Sequence, residues 1–217
     1  MSTVPSGRYS HGVTTTASSP AARAGRTPAR AGRDGAATKR RILDAAEQVV
    51  LRDGVGHLTL EAAAHQAGLS KGGVLYHFPT RDALVAAMVA RIIEQFEDDI
   101  AAYLPAPGTP GHGRSGAFTR AYVRATMAPI SEGEERLGAA LLAAASAEPE
   151  LLVPLQEAAD SWQARLVDDG LDPTTATVVR MACDGLWLCD LFGLASPRGD
   201  LRTEVAAALE CLTGDPS

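Results

Sequence analysis

The sequence predicts an all-α protein of about nine helices, and three observations carry that prediction. Apolar residues recur at spacings of three and four, as in Leu60, Ala63, Ala64 and Ala67, or Val85, Met88, Ile92 and Phe96. No stretch alternates apolar and polar residues convincingly enough for a strand. Capping residues punctuate the helical runs, and one Pro- and Gly-rich break between Pro105 and Gly113 divides the chain. The expected organisation is a flexible arm over 1–37, a three-helix unit over 38–84 with a connecting helix over 80–104, a linker over 105–114, and a helical domain over 115–217.

Taken in order, residues 1–37 are rich in Ser, Thr, Ala, Gly, Pro and Arg and almost lack large apolar side chains, so they cannot bury enough surface to offset ordering. Thr38 is placed to cap a first helix that opens with Lys39, Arg40 and Arg41, settles into Ile42, Ala46, Val49 and Val50, and stops at Asp53-Gly54. The stretch 59–78 then reads as two short helices joined by the turn Ala67-Gly68-Leu69-Ser70. Gly68 suits the left-handed end of one helix, and the Ser70 hydroxyl caps the next. That is the layout of a helix-turn-helix.

The second helix of the motif begins Lys71-Gly72-Gly73. Each glycine costs roughly 1 kcal/mol against alanine in a helix, so their presence suggests that something approaches the backbone closely. Lys71 at the mouth can reach a base acceptor or a phosphate, while Gly72 and Gly73 let the helix end sit against a groove wall. Val74 and Phe78 fall on the core side. Thr59 and Arg81 head the first motif helix and the long helix, and with Thr38 and Arg40 they are phosphate candidates. With two glycines at exposed reading positions, side-chain readout is thin, and Lys71, Leu75 and DNA shape carry the expected specificity.

Three short helices followed by one long helix resemble the TetR family of bacterial one-component repressors. The resemblance rests on Arg40-Arg41-Ile42-Leu43-Asp44-Ala45-Ala46, Leu58-Thr59-Leu60, Ala67-Gly68-Leu69-Ser70 and Leu75-Tyr76-His77-Phe78-Pro79-Thr80-Arg81, within an ungapped span over 38–96. It implies that Tyr76 and His77 hydrogen-bond phosphates. Two departures stand out. The family commonly has lysine where Arg81 stands and often tyrosine where Leu75 stands, so no operator sequence transfers from a relative.

Charge is divided along the chain in a way that suits nucleic acid. Residues 1–41 hold eight Arg or Lys against Asp34 alone, a balance of +7 in a chain of formal charge −6, which leaves −13 for the remainder. A basic end and an acidic body fit a protein that offers one end to phosphates. Arg23, Arg26, Arg30 and Arg33 in the arm are candidates for nonspecific or minor-groove contacts.

Beyond the linker, helices are expected over 115–128, 132–147, 151–168, 173–193 and 201–212. Ala182, Gly185, Cys189 and Gly193 form a small-residue stripe, and Leu201, Val205, Ala208 and Leu212 a second face. One reader covers only a few base pairs, so two are needed on a palindromic operator. The resemblance implies that the last two helices pair with their symmetry mates in a homodimer. It also implies a small-molecule effector in this domain. Phe96, Phe118, Tyr122, Trp162 and Trp187, with Asp184 as the polar handle, are the candidate lining for an apolar or cationic compound, although aromatics on helices commonly belong to the core. Residues 184–193 resemble the regulatory domain of a multidrug-responsive subgroup.

Other classes of function find little support. The five histidines are scattered, and no Gly-x-Ser-x-Gly, phosphate-binding loop or HExxH motif occurs, so an enzyme is not expected. Neither a cofactor nor a metal site is expected. Cys183, Cys189 and Cys211 lack metal-ligand spacing and are expected as free, buried thiols. No apolar run reaches the roughly 18 residues of a membrane span, and residues 1–37 lack the apolar core of a secretory signal, so a cytoplasmic protein is expected. The remaining alternative, a nonspecific nucleoid-type DNA-binding protein, suits the basic end but not the acidic body.

Overall fold

The structure, a computed structural model, describes residues 28–214, with side chains from residue 34 onwards. The described residues form nine α-helices and no strand: α1 Pro28–Asp53, α2 Leu60–Ala67, α3 Lys71–His77, α4 Arg81–Tyr103, α5 Ala117–Met127, α6 Glu132–Ala147, α7 Val153–Val167, α8 Pro173–Phe192 and α9 Gly199–Leu212. Short 3-10 turns at Val55–His57 and Pro149–Leu152 precede α2 and α7.

The punctuation of the motif is as the sequence implies. Oγ1 of Thr59 accepts from Ala62 N, Oγ of Ser70 from Gly73 N, and Oγ1 of Thr80 from Ala83 N, at 3.0, 3.1 and 3.0 Å. Each such cap contributes about 1 kcal/mol. Gly68 closes α2 at φ 62°, a conformation that a β-carbon disfavours. The start of α1 is different. The helix begins ten residues before Thr38, whose hydroxyl donates to Asp34 O at 2.7 Å inside the helix, so Thr38 is not a cap. Pro28 pre-sets the first turn, and the Ala and Arg residues that follow are strong helix formers that outweigh Gly32 and Gly35. Residues 28–37 are therefore helix rather than arm. The rest of the expected arm, with Arg8, Arg23 and Arg26, lies outside the described residues.

Two apolar clusters organise the interior. The first gathers Ile42 and Val49 of α1, Leu58, Val74 of α3, Phe78, and Val85 and Met88 of α4, and it continues into Leu137, Leu141 and Ala145 of α6. The second gathers Ile100 of α4, Phe118, Tyr122 and Val123 of α5, Trp162 and Leu166 of α7, Val179 and Cys183 of α8, and Leu209 of α9. Helix α4 belongs to both, with Ile93 packed against each. The helix-turn-helix unit over 38–84 thus shares its core with α6, beyond the linker.

Polar ties fix the far end of the molecule. Asp169 accepts from Phe118 N, Thr119 N and the Thr119 hydroxyl at 3.1, 2.8 and 2.8 Å, which caps α5 from another part of the chain. The buried Arg120 donates to Thr213 O at 3.1 Å and Ser115 O at 3.0 Å, anchoring the end of α9. A β-carbon at Gly116 (φ 77°) would lie 2.8 Å from Thr213 O, so this junction requires glycine.

The small-residue stripe of α8 is split. Ala182 packs against the second cluster and Cys189 lines a groove, while Gly185 faces open space. The exposed apolar row runs instead through Val178, Met181, Leu188 and Phe192, and Leu201 and Leu212 of α9 are exposed as well. Of the free cysteines, Cys183 is buried as expected, Cys189 is half-buried, and Cys211 is exposed, contrary to expectation.

Candidate DNA-reading surface and effector cluster

The reading helix α3 is held from beneath and bare on its other side. Val74 and Phe78 are buried, whereas Leu75 is exposed and Tyr76 is 85% exposed, with the half-buried His77 ring edge-on to Tyr76 at 5.1 Å. A β-carbon at Gly72 or Gly73 would meet nothing nearer than the Ser70 hydroxyl, at 4.0 and 3.4 Å. Packing within the chain therefore gives no reason for either glycine. The exposed Lys71 ammonium pairs with Glu61 of α2, bridging the two motif helices across their turn. That hydrogen bond holds the Glu61 carboxyl below the usual carboxylate range. Arg41 of α1 donates to Gly68 O at 3.3 Å and steadies the same turn. In the sequence Arg41 reads only as one of three cations opening the first helix, and Glu61 does not stand out, although a carboxylate ten residues before a lysine in a helix-turn-helix places the two at the heads of adjacent helices.

The remaining nucleic-acid candidates do not form one set. Thr59 and Arg40 are exposed, and Thr38 lies half-buried in α1. Arg81 turns inward. Its guanidinium donates to Leu58 O at 3.1 Å and Val55 O at 3.2 Å, with Asp82 at 3.4 Å. Val55 O already accepts from Leu58 N at 3.1 Å within the 3-10 turn, and the arginine adds a second donor there and one to Leu58 O, pinning the turn to the head of α4.

In the body, five of the six effector candidates come together. The Phe96 ring meets the Tyr122 and Trp162 rings edge-on, each at 5.2 Å, Tyr122 and Trp162 lie 6.0 Å apart, and Phe118 tilts against Tyr122 at 6.4 Å. Asp184 accepts from the Tyr122 hydroxyl at 2.7 Å and pairs with Arg180 at 2.8 Å. Burial, reinforced by the Asp184 charge, pushes the Tyr122 phenol well above its ordinary range. Burial likewise raises the Cys183 thiol to about 12. Trp187 is half-buried and makes no ring contact with the group.

These rings pack against one another, so the cluster is closed, and open space lies beside it. Glu97 accepts from the Trp162 indole N–H at 2.5 Å, and Arg165 binds both Glu97 oxygens at 3.0 and 2.8 Å with its guanidinium 3.9 Å from the centre of the Phe118 ring. Phe118 and Arg165 also line a cavity of about 340 Å³ with Leu104, His112, Asp168 and Asp169. A larger groove of about 940 Å³ runs between the end of α1, α6 and the α8–α9 loop, beside Arg136, Asp190 and Arg202. Among the described residues no three His, Cys, Asp or Glu side chains are placed to hold a metal ion, and no helix is long and apolar enough to cross a membrane.

An exposed recognition helix, braced by its own turn and joined through one long helix to an all-helical body, defines a helix-turn-helix regulator of transcription. Residues 42–88 match the family described as bacterial regulatory proteins, tetR family, and residues 116–214 match the tetracyclin repressor-like C-terminal domain; the chain belongs to the TetR family. Members of that family are DNA-binding transcription factors, not enzymes. The multidrug binding protein EbrR in complex with malachite green is 29% identical, over 81% of this chain and 97% of that one, at a TM-score of 0.61. EbrR in complex with ethidium gives 28% identity, 81% and 98% coverage, and a TM-score of 0.60. A TetR-family member from Streptomyces coelicolor A3, SCO1917, is 25% identical over 81% of this chain and 98% of that one, at a TM-score of 0.62. No curated protein matches the chain.

Proposed function

We propose that this regulator is a homodimeric repressor that binds a palindromic operator and is released when a flat apolar or cationic compound enters its C-terminal domain. The observation that carries the reading is α3, where Lys71, two glycines without a packing role and the bare Tyr76 side chain stand at one short helix. Lys71 exchanges Glu61 for a base edge or phosphate, Gly72 and Gly73 admit the groove wall, and Leu75 adds apolar contact. Tyr76, His77, Thr59, Arg40 and Thr38 serve the phosphate backbone. Arg81 acts as a positioning residue through Leu58 and Val55.

Two heads are held at fixed spacing by pairing of α8 and α9 with their symmetry mates, which covers Val178, Met181, Leu188, Phe192 and Leu212. Phe96, Phe118, Tyr122, Trp162 and Asp184 form the effector cluster, supported by the dyes carried by EbrR. Trp187, outside the ring cluster, is assigned to the helix-pairing side. An effector lowers DNA affinity only by as much as it prefers the non-binding spacing of the heads.

The test is selection of bound sites from a random duplex library at near-physiological salt. An enriched palindrome with half-sites about one helical turn apart is expected. Binding without enrichment that vanishes as salt rises would mean a nonspecific DNA-binding protein. On the selected site, Lys71→Ala is expected to weaken binding by about 1–3 kcal/mol and relax sequence preference.

A further inference from the structure

We propose that the cavity beside Phe118 is the entry half of a site for flat organic cations, and that Arg165 is a built-in occupant of its cation position. The proposal rests on the effector reading above and names the group that a ligand must displace. The Arg165 guanidinium is planar and delocalised, lies 3.9 Å over the Phe118 ring, and bonds both oxygens of Glu97. Those contacts, an aromatic face and a carboxylate, are the chemistry that recognises an aromatic cation. Glu97 is also the acceptor of the Trp162 indole N–H, so the carboxylate that holds Arg165 is part of the ring cluster itself.

Position and charge point the same way. Arg165 is exposed, so its side chain can swing into solvent without unfolding α7. Its departure leaves Asp168 and Asp169 on the cavity wall and frees the Glu97 carboxylate that it had bound, with no Arg or Lys among the remaining lining residues. A cavity of about 340 Å³ lies in the range of small-molecule sites, and Phe118 is the ring common to cavity and cluster. An entering cation takes over Glu97 and the Phe118 face while Arg165 moves to water. The exchange keeps the Glu97 carboxylate paired and returns the Arg165 guanidinium to solvent. It also cuts a tie between α7 and α4, and α4 runs on to the reading head.

The experiment titrates ethidium into the full chain, reading ethidium emission, for the unaltered protein, Arg165→Met and Glu97→Gln. Phenanthridine, the uncharged ring system, is followed in parallel by quenching of tryptophan emission. Arg165→Met is expected to tighten ethidium by roughly tenfold and phenanthridine by less, because the competing closed state is removed. Glu97→Gln is expected to weaken ethidium and erase the preference for the cation. Unchanged or weaker ethidium binding by Arg165→Met, where the unaltered protein binds the dye, overturns the assignment of Arg165 and leaves the effector reading intact. No ethidium binding by either protein overturns both. Should circular dichroism show Arg165→Met unfolded, Arg165→Lys replaces it. An ammonium in the place of Nη1 keeps the carboxylate but gives up the planar group on the Phe118 ring, so intermediate tightening is expected, and unchanged affinity overturns the proposal.

Discussion

The two apolar clusters share helix α4 and little else. The first is almost wholly aliphatic, with Phe78 as its one buried aromatic ring, and none of the buried polar residues Thr119, Arg120 and Thr213 belongs to it. The second is aromatic and crossed by directed bonds, Tyr122 to Asp184 and Trp162 to Glu97. It also lies among the groups left wanting, since Gln163 Oε1 and Arg180 Nε are buried without a hydrogen-bond partner in the protein. Aliphatic packing has no direction and holds a shape, whereas hydrogen-bonded rings can exchange one partner for another of like chemistry. The contrast separates a region whose packing holds the helix-turn-helix from one whose bonds suit the exchange that the proposed function requires.

The hardest blow to that contrast falls on the first cluster. Leu141→Ala, on α6 yet inside the head's core, is expected to cost about 2–5 kcal/mol in denaturant unfolding and to loosen the head with the body. A loss confined to the body would divide the cluster at α6. Arg81→Ala removes two bonds to loop carbonyls and is expected to cost about 1–2 kcal/mol, with the salt dependence of DNA binding unchanged. A slope reduced by about one unit would return Arg81 to the phosphate backbone. Tyr122→Phe sharpens the comparison most gently, at about 1 kcal/mol near neutral pH. Because the folded-state phenol titrates above its unfolded value of 10.0, its contribution is complete below that pH and declines as pH rises beyond it. The variant is therefore expected to lose less stability than the parent above pH 10, measured by unfolding across that window. Parallel profiles would remove Tyr122 from the alkaline response.

Much of this was legible because it is local. Gly68 and Ser70 announced their helix ends, and Val74 and Phe78 their core side, since spacing and capping act within a turn of the residue concerned. What escaped depends on distant partners or on summed small preferences. Arg81 bonds residues 23 and 26 positions earlier, and its role cannot be seen from its neighbours. Residues 28–37 lack apolar periodicity but carry enough Ala and Arg to stay helical from Pro28. Phe96, Phe118, Tyr122, Trp162 and Asp184 are named from the sequence together with Trp187, which the packing leaves outside the group. That the rings would close on one another, with Glu97 and Arg165 at their edge, required the packing of α4, α5 and α7.

The bond from Arg136 of α6 to Leu51 O at 2.9 Å, beside the shared aliphatic cluster, bears on how such chains can be recombined. The turn-rich segment over 105–114 looks like the natural cut for grafting this head onto a foreign body. A hybrid joined there would lose Leu137, Leu141 and Ala145 and set the newcomer's counterpart helix against side chains it never matched. The exchangeable unit is the head together with the inward face of α6, and a working hybrid has to carry that face across the junction.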